Sequence, residues 1–187
     1  MLVRAHLMSV PFEDLDIYEL GREVSLEIGD VFDKIVRRRR GGFCFELNGL
    51  FCALLEALGF ECRAIAVRVL FEGEFPPIGH RSTIVTLADG KRVVCDVGFG
   101  GPTPLGALYL DCADVQHSGR LAFRYEKRPD GLYKFTYIQR DGAEMPLHLF
   151  SDSEFSKMDF VALGVYMSRG DNARFRNERV LNILREN

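Results

Sequence analysis

The first third of the chain carries its apolar residues at helical spacing. Leucine and phenylalanine recur every three or four positions through residues 47–58, which predicts a helix with one buried face that ends at Gly59. A shorter apolar run, residues 31–36, follows Asp30, a residue type that commonly caps a helix N-terminus. Residues 1–59 are therefore predicted to form a mainly helical lobe.

Beyond residue 59 the pattern changes to the alternation that is typical of β-strands. The predicted strands are residues 62–70, 82–87, 92–97, 121–126 and 132–139. Asp89-Gly90 and Pro129-Asp130-Gly131 each lie between two of these strands and predict hairpin turns. Residues 98–118 contain several glycines and prolines and are predicted to be a loop.

These elements predict an α+β fold. The helical lobe leads into an antiparallel β lobe, residues 60–150, and a helical tail follows over residues 151–187. The length of 187 residues fits one domain of ordinary size, or two small lobes around a shared core.

Charge and composition narrow the classes of partner. The net charge is −3 with both signs dispersed along the chain, so nucleic acid is not expected to bind. No apolar run resembles a signal peptide or a membrane span, and the five cysteines are odd in number and lack CxxC spacing. We therefore expect a cytoplasmic protein with no bound metal, no disulfide framework and no membrane contact.

Cys44 is the first candidate catalytic residue. It follows Gly41-Gly42-Phe43 and lies in the first turn of the predicted helix, where the partial positive charge of the helix end favours a thiolate. The N–H groups of a first turn have no acceptor within the helix, so they are available to an oxyanion. A buried, inert thiol explains a lone cysteine equally well. The residue context alone leaves both interpretations open.

A nucleophilic thiol needs a base, and the base needs an orienting group. His80 opens one arm of the Asp89-Gly90 hairpin and Asp96 closes the other, so the two should be neighbours across the strands. Capping of the glycine-rich turn that follows is the alternative role of Asp96. The other histidines, which are expected to be surface or structural residues, are His6, His117 and His148.

Four motifs together resemble the arylamine N-acetyltransferase family. They are Val10-Pro11-Phe12-Glu13-Asp14-Leu15-Asp16-Ile17, Arg40-Gly41-Gly42-Phe43-Cys44-Phe45-Glu46-Leu47-Asn48, His80, and Asp96-Val97-Gly98-Phe99-Gly100-Gly101. Their order is similar to that of the family, and so are their separations, 36 residues from Cys44 to His80 and 16 more to Asp96. The resemblance implies that the antiparallel sheet forms a barrel-like lobe beside a Cys-His-Asp core like that of cysteine proteases.

The resemblance also implies a two-step acetyl transfer. Cys44, activated by His80, takes the acetyl group from acetyl-CoA as a thioester, and an arylamine or arylhydrazine then attacks that thioester. Asp96 holds the imidazole in its productive orientation.

Further roles follow from the same matching of motifs. The residues implied to line the acceptor pocket are Phe12, Phe43 and Phe99. Those implied to lie near the pantetheine arm of the coenzyme are Gly98 and Gly100. The polar network implied to brace the cysteine loop consists of Arg40, Glu13 and Asp16.

The chain departs from the family pattern at Asp14, where the family has Asn, and in length. Family members normally carry a helical segment before the Pro-Phe-Glu motif and a lid-like region after the position of Asn187, so we expect a short member that lacks both. The functions that stay open are an amide synthase or thioester hydrolase with the same triad, a more distant protease, and a catalytically silent binding module. The oligomeric state stays open between a monomer and a homo-oligomer.

Overall fold

The structure is a computed structural model that describes residues 1–70 and 75–185. Its helices are α1 (Leu2–Ser9), α2 (Leu15–Tyr18), α3 (Ile28–Phe32), α4 (Cys44–Ala57), α5 (Lys157–Arg169) and α6 (Arg174–Asn177), and a π-helical turn, Asp33–Arg37, continues α3. Its strands are β1 (Phe12–Glu13), β2 (Glu61–Val69), β3 (Ile78–Thr86), β4 (Arg92–Cys95), β5 (Leu108–Tyr109), β6 (Gln116–Ser118), β7 (Leu121–Lys127), β8 (Tyr133–Ile138), β9 (Glu144–Phe150) and β10 (Leu181–Asn182). The predicted α+β architecture is confirmed.

Helix α4 presents an apolar face to the sheet, where it packs on β2 and β3. The buried positions that recur at helical spacing on this face are Leu47, Phe51 and Leu55. Burial of each such side chain stabilises the fold by roughly 1.5–3 kcal/mol. At the start of the helix the Glu46 carboxylate accepts the N–H of Phe43 at 3.0 Å, which is one half of a capping box. Gly59 follows the helix with φ of 87°, as its predicted role at the helix end requires.

Eight strands form one antiparallel sheet in the order β5-β4-β3-β2-β9-β8-β7-β6. The two edge strands approach each other, because the Gln116 side chain of β6 makes two hydrogen bonds of 2.8 Å to the backbone of Tyr109 in β5. The sheet is therefore a nearly closed barrel. A cluster that includes Phe123 and Phe135 packs on one face of the sheet, and α4 and α5 pack on the other.

Strand β9 is absent from the strands predicted from the sequence. Pro146 lies within it and has no N–H to donate, and the register with β8 shifts near this point, between Phe135 and Thr136. The predicted loop at residues 98–118 likewise contains the short strands β5 and β6. Strand β9 lies between β2 and β8, so it joins the two halves of the sheet.

The two ends of the chain also differ from expectation. Residues ahead of Pro11, where the helical segment usual in the family was expected to be missing, form the eight-residue helix α1. Helix α3 begins at Ile28, so Asp30 lies inside the helix and does not cap it. The tail predicted to be helical over residues 151–187 does contain α5 and α6, but β10 then pairs antiparallel with β1. Residues 186–187 of that tail, and residues 71–74 of the predicted β lobe, lie outside the described residues.

No helix within residues 1–70 and 75–185 combines the length and the apolar character needed to cross a membrane.

Candidate active site

Cys44 is the first residue of α4, and the loop before it is attached to the N-terminal strand. The Glu13 N–H donates to the Gly42 carbonyl at 3.0 Å, and the Gly42 N–H donates to the Pro11 carbonyl at 3.4 Å. A Cβ atom on Gly41 would lie 2.2 Å from the Pro11 carbonyl oxygen, so only glycine fits this close approach. These contacts with the segment of strand β1 therefore fix the position of Cys44 at the start of α4.

A group of charged side chains reinforces this attachment. The Arg40 guanidinium donates to Glu13 Oε1 at 2.7 Å and to Asp16 Oδ1 at 3.2 Å. The structure thus brings together the three residues that the resemblance implied as a network. Glu13 is buried, and its second oxygen accepts the N–H of Leu15 at 2.8 Å, so one carboxylate links the arginine to the start of α2.

Lys34 and Glu46 extend the network, and the sequence reasoning missed both. The Lys34 ammonium lies 2.7 Å from Asp16 Oδ2 and 2.9 Å from Glu46 Oε1. Burial by itself lowers the pKa of Lys34, but the surrounding carboxylates raise it above its ordinary value, so the lysine stays charged. Because Glu46 also caps α4, this ion pair connects the π-helical turn to the helix that carries Cys44.

His80 and Asp96 meet across the hairpin that β3 and β4 form. His80 Nε2 lies 2.5 Å from Asp96 Oδ2; the His80 side chain is buried, and that of Asp96 is 10% exposed. Thr83 pairs with Cys95, so the register continued by one residue puts Ser82 opposite Asp96. His80 is therefore a diagonal neighbour of Asp96 and not its direct cross-strand partner.

The electrostatics of this pair favour an imidazolium beside a carboxylate. Burial by itself lowers the pKa of His80, but the Asp96 carboxylate and the nearby Cys44 side chain raise it above its ordinary value. Burial by itself raises the pKa of Asp96, but His80 and the hydrogen bond from the Gly98 N–H lower it. Each group thus stabilises the charged form of the other.

Asn48, one turn along α4 from Cys44, holds Asp96 in place. Its Nδ2 donates to Asp96 Oδ1 at 3.0 Å and to the Arg81 carbonyl at 2.7 Å, and its Oδ1 accepts the Val97 N–H at 2.9 Å. The side chain is fully buried. Asn48 lies inside a motif that carries the family resemblance, but the sequence alone predicted no role for it. One amide therefore connects the helix of the thiol to the strand of the carboxylate.

The Cys44 thiol lies beside His80. Its Sγ donates to the Gly79 carbonyl, one residue before the histidine, at 3.6 Å. Because Nε2 of His80 contacts Asp96, Nδ1 is the ring nitrogen left to exchange a proton with sulfur. Cys52, on the same helix, contacts Glu56 at 3.7 Å, and burial with that carboxylate raises the pKa of its thiol. Cys52 thus has the environment of an inert thiol.

Cys44 and His80 line one pocket of about 580 Å³. Phe12 and Phe99 also line it, as does Gly100. Phe43 does not line the pocket, because its ring is buried behind it against Phe45 and Phe175. Gly98 lies outside this pocket, and a Cβ on it would be 3.1 Å from Cys44 Cα. The lining side chains that the sequence reasoning missed come mostly from the C-terminal helices and include Met167, Arg174, Phe175 and Glu178.

His148 of β9 packs beside the pair and was not singled out from the sequence. Its ring centroid lies 5.2 Å from that of His80 and 4.2 Å from that of Phe99. Its Nε2 is buried without a hydrogen-bond partner among the described residues. Burial and the charge of the neighbouring His80 lower the pKa of His148 to about 3, so this second imidazole is neutral. Only the unpredicted strand β9 brings it here.

Within the described part of the chain, no group of three or more histidine, cysteine, aspartate or glutamate side chains is arranged to hold a metal ion.

Comparisons of the sequence with known proteins point to one family. A family model described as N-acetyltransferase matches residues 1–187. The chain is 34% identical over 181 residues to an arylamine N-acetyltransferase of Mycolicibacterium smegmatis, which is 93% of this chain and 64% of the relative. It is 41% identical over 136 residues to the arylamine N-acetyltransferase of Mycobacterium tuberculosis, which is 70% of this chain and 48% of the relative. The chain thus spans about half to two thirds of these relatives.

A solved structure has a similar fold. The arylamine N-acetyltransferase of Mycobacterium marinum in complex with CoA superposes with a TM-score of 0.92 at 29% sequence identity. The superposition covers 99% of this chain and 69% of that one. The similarity therefore includes both the helical layer and the nearly closed barrel.

Proposed function

The chain belongs to the N-acetyltransferase family, and on that premise we propose that it transfers an acetyl group from acetyl-CoA to an arylamine or arylhydrazine. The observation that carries the proposal is the 2.5 Å contact of His80 with Asp96, because His80 lines the same pocket as Cys44. A thiol, a base and an orienting carboxylate are the three groups that acyl transfer through sulfur requires.

In the first step the Cys44 thiolate attacks the carbonyl carbon of the acetyl thioester. The bond from carbon to Sγ forms, the bond from carbon to the sulfur of CoA breaks, and the CoA thiolate takes a proton from the His80 imidazolium. The first N–H groups of α4 have no acceptor within the helix, which suits them to stabilise the oxyanion that forms on the way. The products are acetylated Cys44, neutral His80 and free CoA.

In the second step the amine nitrogen attacks the acetyl carbon on Cys44. A bond from nitrogen to carbon forms, the bond from carbon to Sγ breaks, and the nitrogen gives its surplus proton to His80. The thiolate and the imidazolium are thereby restored, so the cycle needs no other acid or base. Asp96 accepts a hydrogen bond from Nε2 in both steps, which leaves Nδ1 free to carry the proton.

The walls of the pocket support a flat, apolar acceptor. Phe12 and Phe175 meet at a centroid distance of 5.8 Å, and Phe99 lies 5.6 Å from the His80 ring. Aromatic walls bind a planar ring through stacking and edge contacts. We propose that Phe12, Phe99 and Phe175 hold the ring of the amine.

The remaining assignments belong to the same proposal. Gly98 and Gly100 lie near the pantetheine arm, since Gly100 lines the pocket of Cys44 and Gly98 packs directly against Cys44. The Arg40, Glu13 and Asp16 network keeps the loop before Cys44 rigid. We place the reaction in the cytoplasm, because all five cysteines are free thiols, as is usual in a reducing compartment.

The test is to measure release of CoA from acetyl-CoA with and without an acceptor. The acceptor panel contains an arylamine, an arylhydrazine and an aliphatic amine of similar basicity. We expect rapid release only with the aromatic acceptors, together with an equal amount of acetylated product. Release that is equally fast without any acceptor indicates a thioester hydrolase. No release of CoA with or without any acceptor of the panel indicates a silent binding module.

A further inference from the structure

Glu46 lies at the point where the loop before Cys44 enters helix α4, and it is 1% exposed. Its Oε2 accepts the Phe43 N–H at 3.0 Å, and a Cβ atom on Gly42 would lie 2.8 Å from the same oxygen. The backbone of the two residues before Cys44 therefore packs directly on this carboxylate. A movement of the Glu46 side chain is thus passed to the start of the helix, where Cys44 lies.

Lys34 of the π-helical turn holds the same carboxylate. Its Nζ lies 2.9 Å from Glu46 Oε1 and 3.0 Å from Glu46 Oε2. The Lys34 carbonyl also accepts the Arg40 N–H at 3.1 Å, so one residue contacts both the helix that carries Cys44 and the loop that precedes it. π-Helical turns are rare and occur frequently at functional sites. The Lys34–Glu46 ion pair is therefore placed to fix the first turn of α4.

The groups that face Glu46 have opposing effects on its ionisation. Burial raises the pKa of Glu46, Lys34 and the Phe43 N–H lower it, and the Glu13 carboxylate of β1 raises it, so that the pKa rises from 4.5 to about 7. Lys34 stays protonated in this range. Glu46 therefore changes its charge near neutral pH. The remaining charged groups of the cluster are Asp16, which contacts Lys34 at 2.7 Å, and Arg40, which contacts Glu13 at 2.7 Å.

The ionised and the protonated forms of Glu46 differ in how they hold the first turn of α4. The carboxylate accepts a charge-assisted hydrogen bond, which is roughly twice as strong as a neutral one, and it interacts favourably with the positive end of the helix. Protonation also removes the attraction to Lys34. The turn that is thereby loosened carries the first N–H groups of α4, which suit the oxyanion of acyl transfer.

We propose that ionised Glu46 is a positioning residue for acyl transfer at Cys44: it fixes the first turn of α4, and the transfer slows when Glu46 takes up a proton. The inference rests on the proposed function for the reaction that it affects. Electrostatics alone predicts the opposite sign, because removal of a negative charge near Cys44 favours its thiolate. A slower transfer therefore reports the geometry of the turn and not the local potential.

The test is the pH dependence of Cys44 acetylation by p-nitrophenyl acetate, measured as burst release of p-nitrophenol in the wild type and in Glu46→Gln. Glutamine keeps the size of the side chain and a neutral acceptor oxygen but carries no charge. At pH 8, where Glu46 is ionised, the wild type should react at least about threefold faster than the variant, since the loss of a capping interaction is typically of that order. At pH 6 the two rates should be nearly equal, so the ratio of the rates changes with a midpoint near pH 7.

Two controls accompany this measurement. Glu56→Gln makes the same substitution at an exposed position in the last turn of α4, so its pH profile should match that of the wild type. Alkylation of Cys44 by iodoacetamide needs the thiolate but no oxyanion site. At pH 8 it should be no slower in Glu46→Gln than in the wild type, which separates a misplaced turn from a lost or inaccessible thiol.

Lys34 provides a second test, which also serves if Glu46→Gln fails to fold. Lys34→Met removes the cation that lowers the pKa of Glu46, so the midpoint of the pH profile should move to higher pH. Lys34→Arg keeps the cation and should retain the wild-type midpoint. At pH 8 the effects of Lys34→Met and Glu46→Gln should be less than additive in the double variant, because both substitutions remove the same ion pair.

The outcomes separate this inference from the proposed function. A ratio of the wild-type rate to the Glu46→Gln rate that does not change with pH overturns the positioning role, as does an equal change in Glu56→Gln, an equal slowing of alkylation or an unmoved midpoint in Lys34→Met. Acetylation by the ester but not by acetyl-CoA, with the ratio changing as expected, supports the positioning role and refutes the proposed function. Transfer from acetyl-CoA to an arylamine with a constant ratio refutes the positioning role alone.

Discussion

Replacement of His148 by phenylalanine tests whether a neutral, buried imidazole packs against the His80–Asp96 pair. The Nε2 atom of His148 has no partner among the described residues, and its pKa is lowered to about 3 from an ordinary 6.5. In the unfolded chain this imidazole binds a proton below pH 6.5, whereas in the fold it does not until about pH 3. The free energy of unfolding therefore decreases as the pH falls from 6.5 towards 3.

The magnitude follows from the two pKa values. Between pH 7 and pH 4.5, protonation of His148 in the unfolded chain lowers the free energy of unfolding by about 2.5 kcal/mol, at about 1.4 kcal/mol per pKa unit. His148→Phe removes this loss. His80 and Asp96, which face His148, titrate in both proteins, so their contributions cancel to first order in the comparison.

The assay is urea unfolding at pH 7 and pH 4.5, followed by circular dichroism. Between pH 7 and pH 4.5 the free energy of unfolding of the wild type should decrease by about 2.5 kcal/mol more than that of His148→Phe. At pH 7 the variant should be at least as stable, because it no longer buries an unpaired polar atom. His117→Phe is the control, since His117 is exposed and its loss should leave the pH dependence unchanged. An identical pH dependence in the wild type and His148→Phe would refute the reasoning.

Three further predictions concern the thiol and its support. Cys44→Ser should abolish acetyl transfer, measured as acceptor-dependent CoA release, because a hydroxyl ionises far less readily than a thiol, while Cys52→Ser should remain active; an active Cys44→Ser variant contradicts the assignment of the nucleophile. At pH 6.5 iodoacetamide should modify Cys44 faster in the wild type than in His80→Gln, because the imidazole takes up the proton of the thiol; equal rates would show that His80 does not activate the thiol. Asn48→Ala should lower the free energy of unfolding by about 2–4 kcal/mol and slow acetylation of Cys44, because it removes three hydrogen bonds that join α4 to Arg81, Asp96 and Val97; a stable, fully active variant would rule out its role in holding Asp96.

Local sequence signals were sufficient to predict the hairpin and the helix that carry Cys44, His80 and Asp96. The Asp89-Gly90 turn fixed the hairpin, and the hairpin brings His80 to Asp96, although through a diagonal pairing. The periodic leucines of residues 47–58 indicated the helix that begins at Cys44. Both signals lie within about 20 residues of the side chains that they position.

The rest of the site depends on contacts between distant segments, which no local pattern reveals. His148 reaches His80 only because β9 inserts between β2 and β8, and Pro146 interrupts the alternation that would have marked this strand. Phe175 reaches the pocket because the chain returns from the far end to pair β10 with β1. Phe43 matched the motif of a pocket residue, but its ring turns into the core. The sequence therefore predicted the proximity of His80 to Asp96 better than it predicted the walls of the pocket.

The central claim is that Cys44 carries the acetyl group, and the mass of the intact protein tests it most directly. The reduced protein is mixed with acetyl-CoA without an acceptor and quenched in acid. Mass spectrometry then gives the mass of the intact protein and, after proteolysis, the masses of its peptides. We predict a gain of one acetyl group on the peptide that contains Cys44, no gain in Cys44→Ser, and loss of the group on addition of an arylamine with formation of an equal amount of acetylated amine. A folded, reduced protein that gains no acetyl group, or gains it equally in Cys44→Ser, contradicts the account.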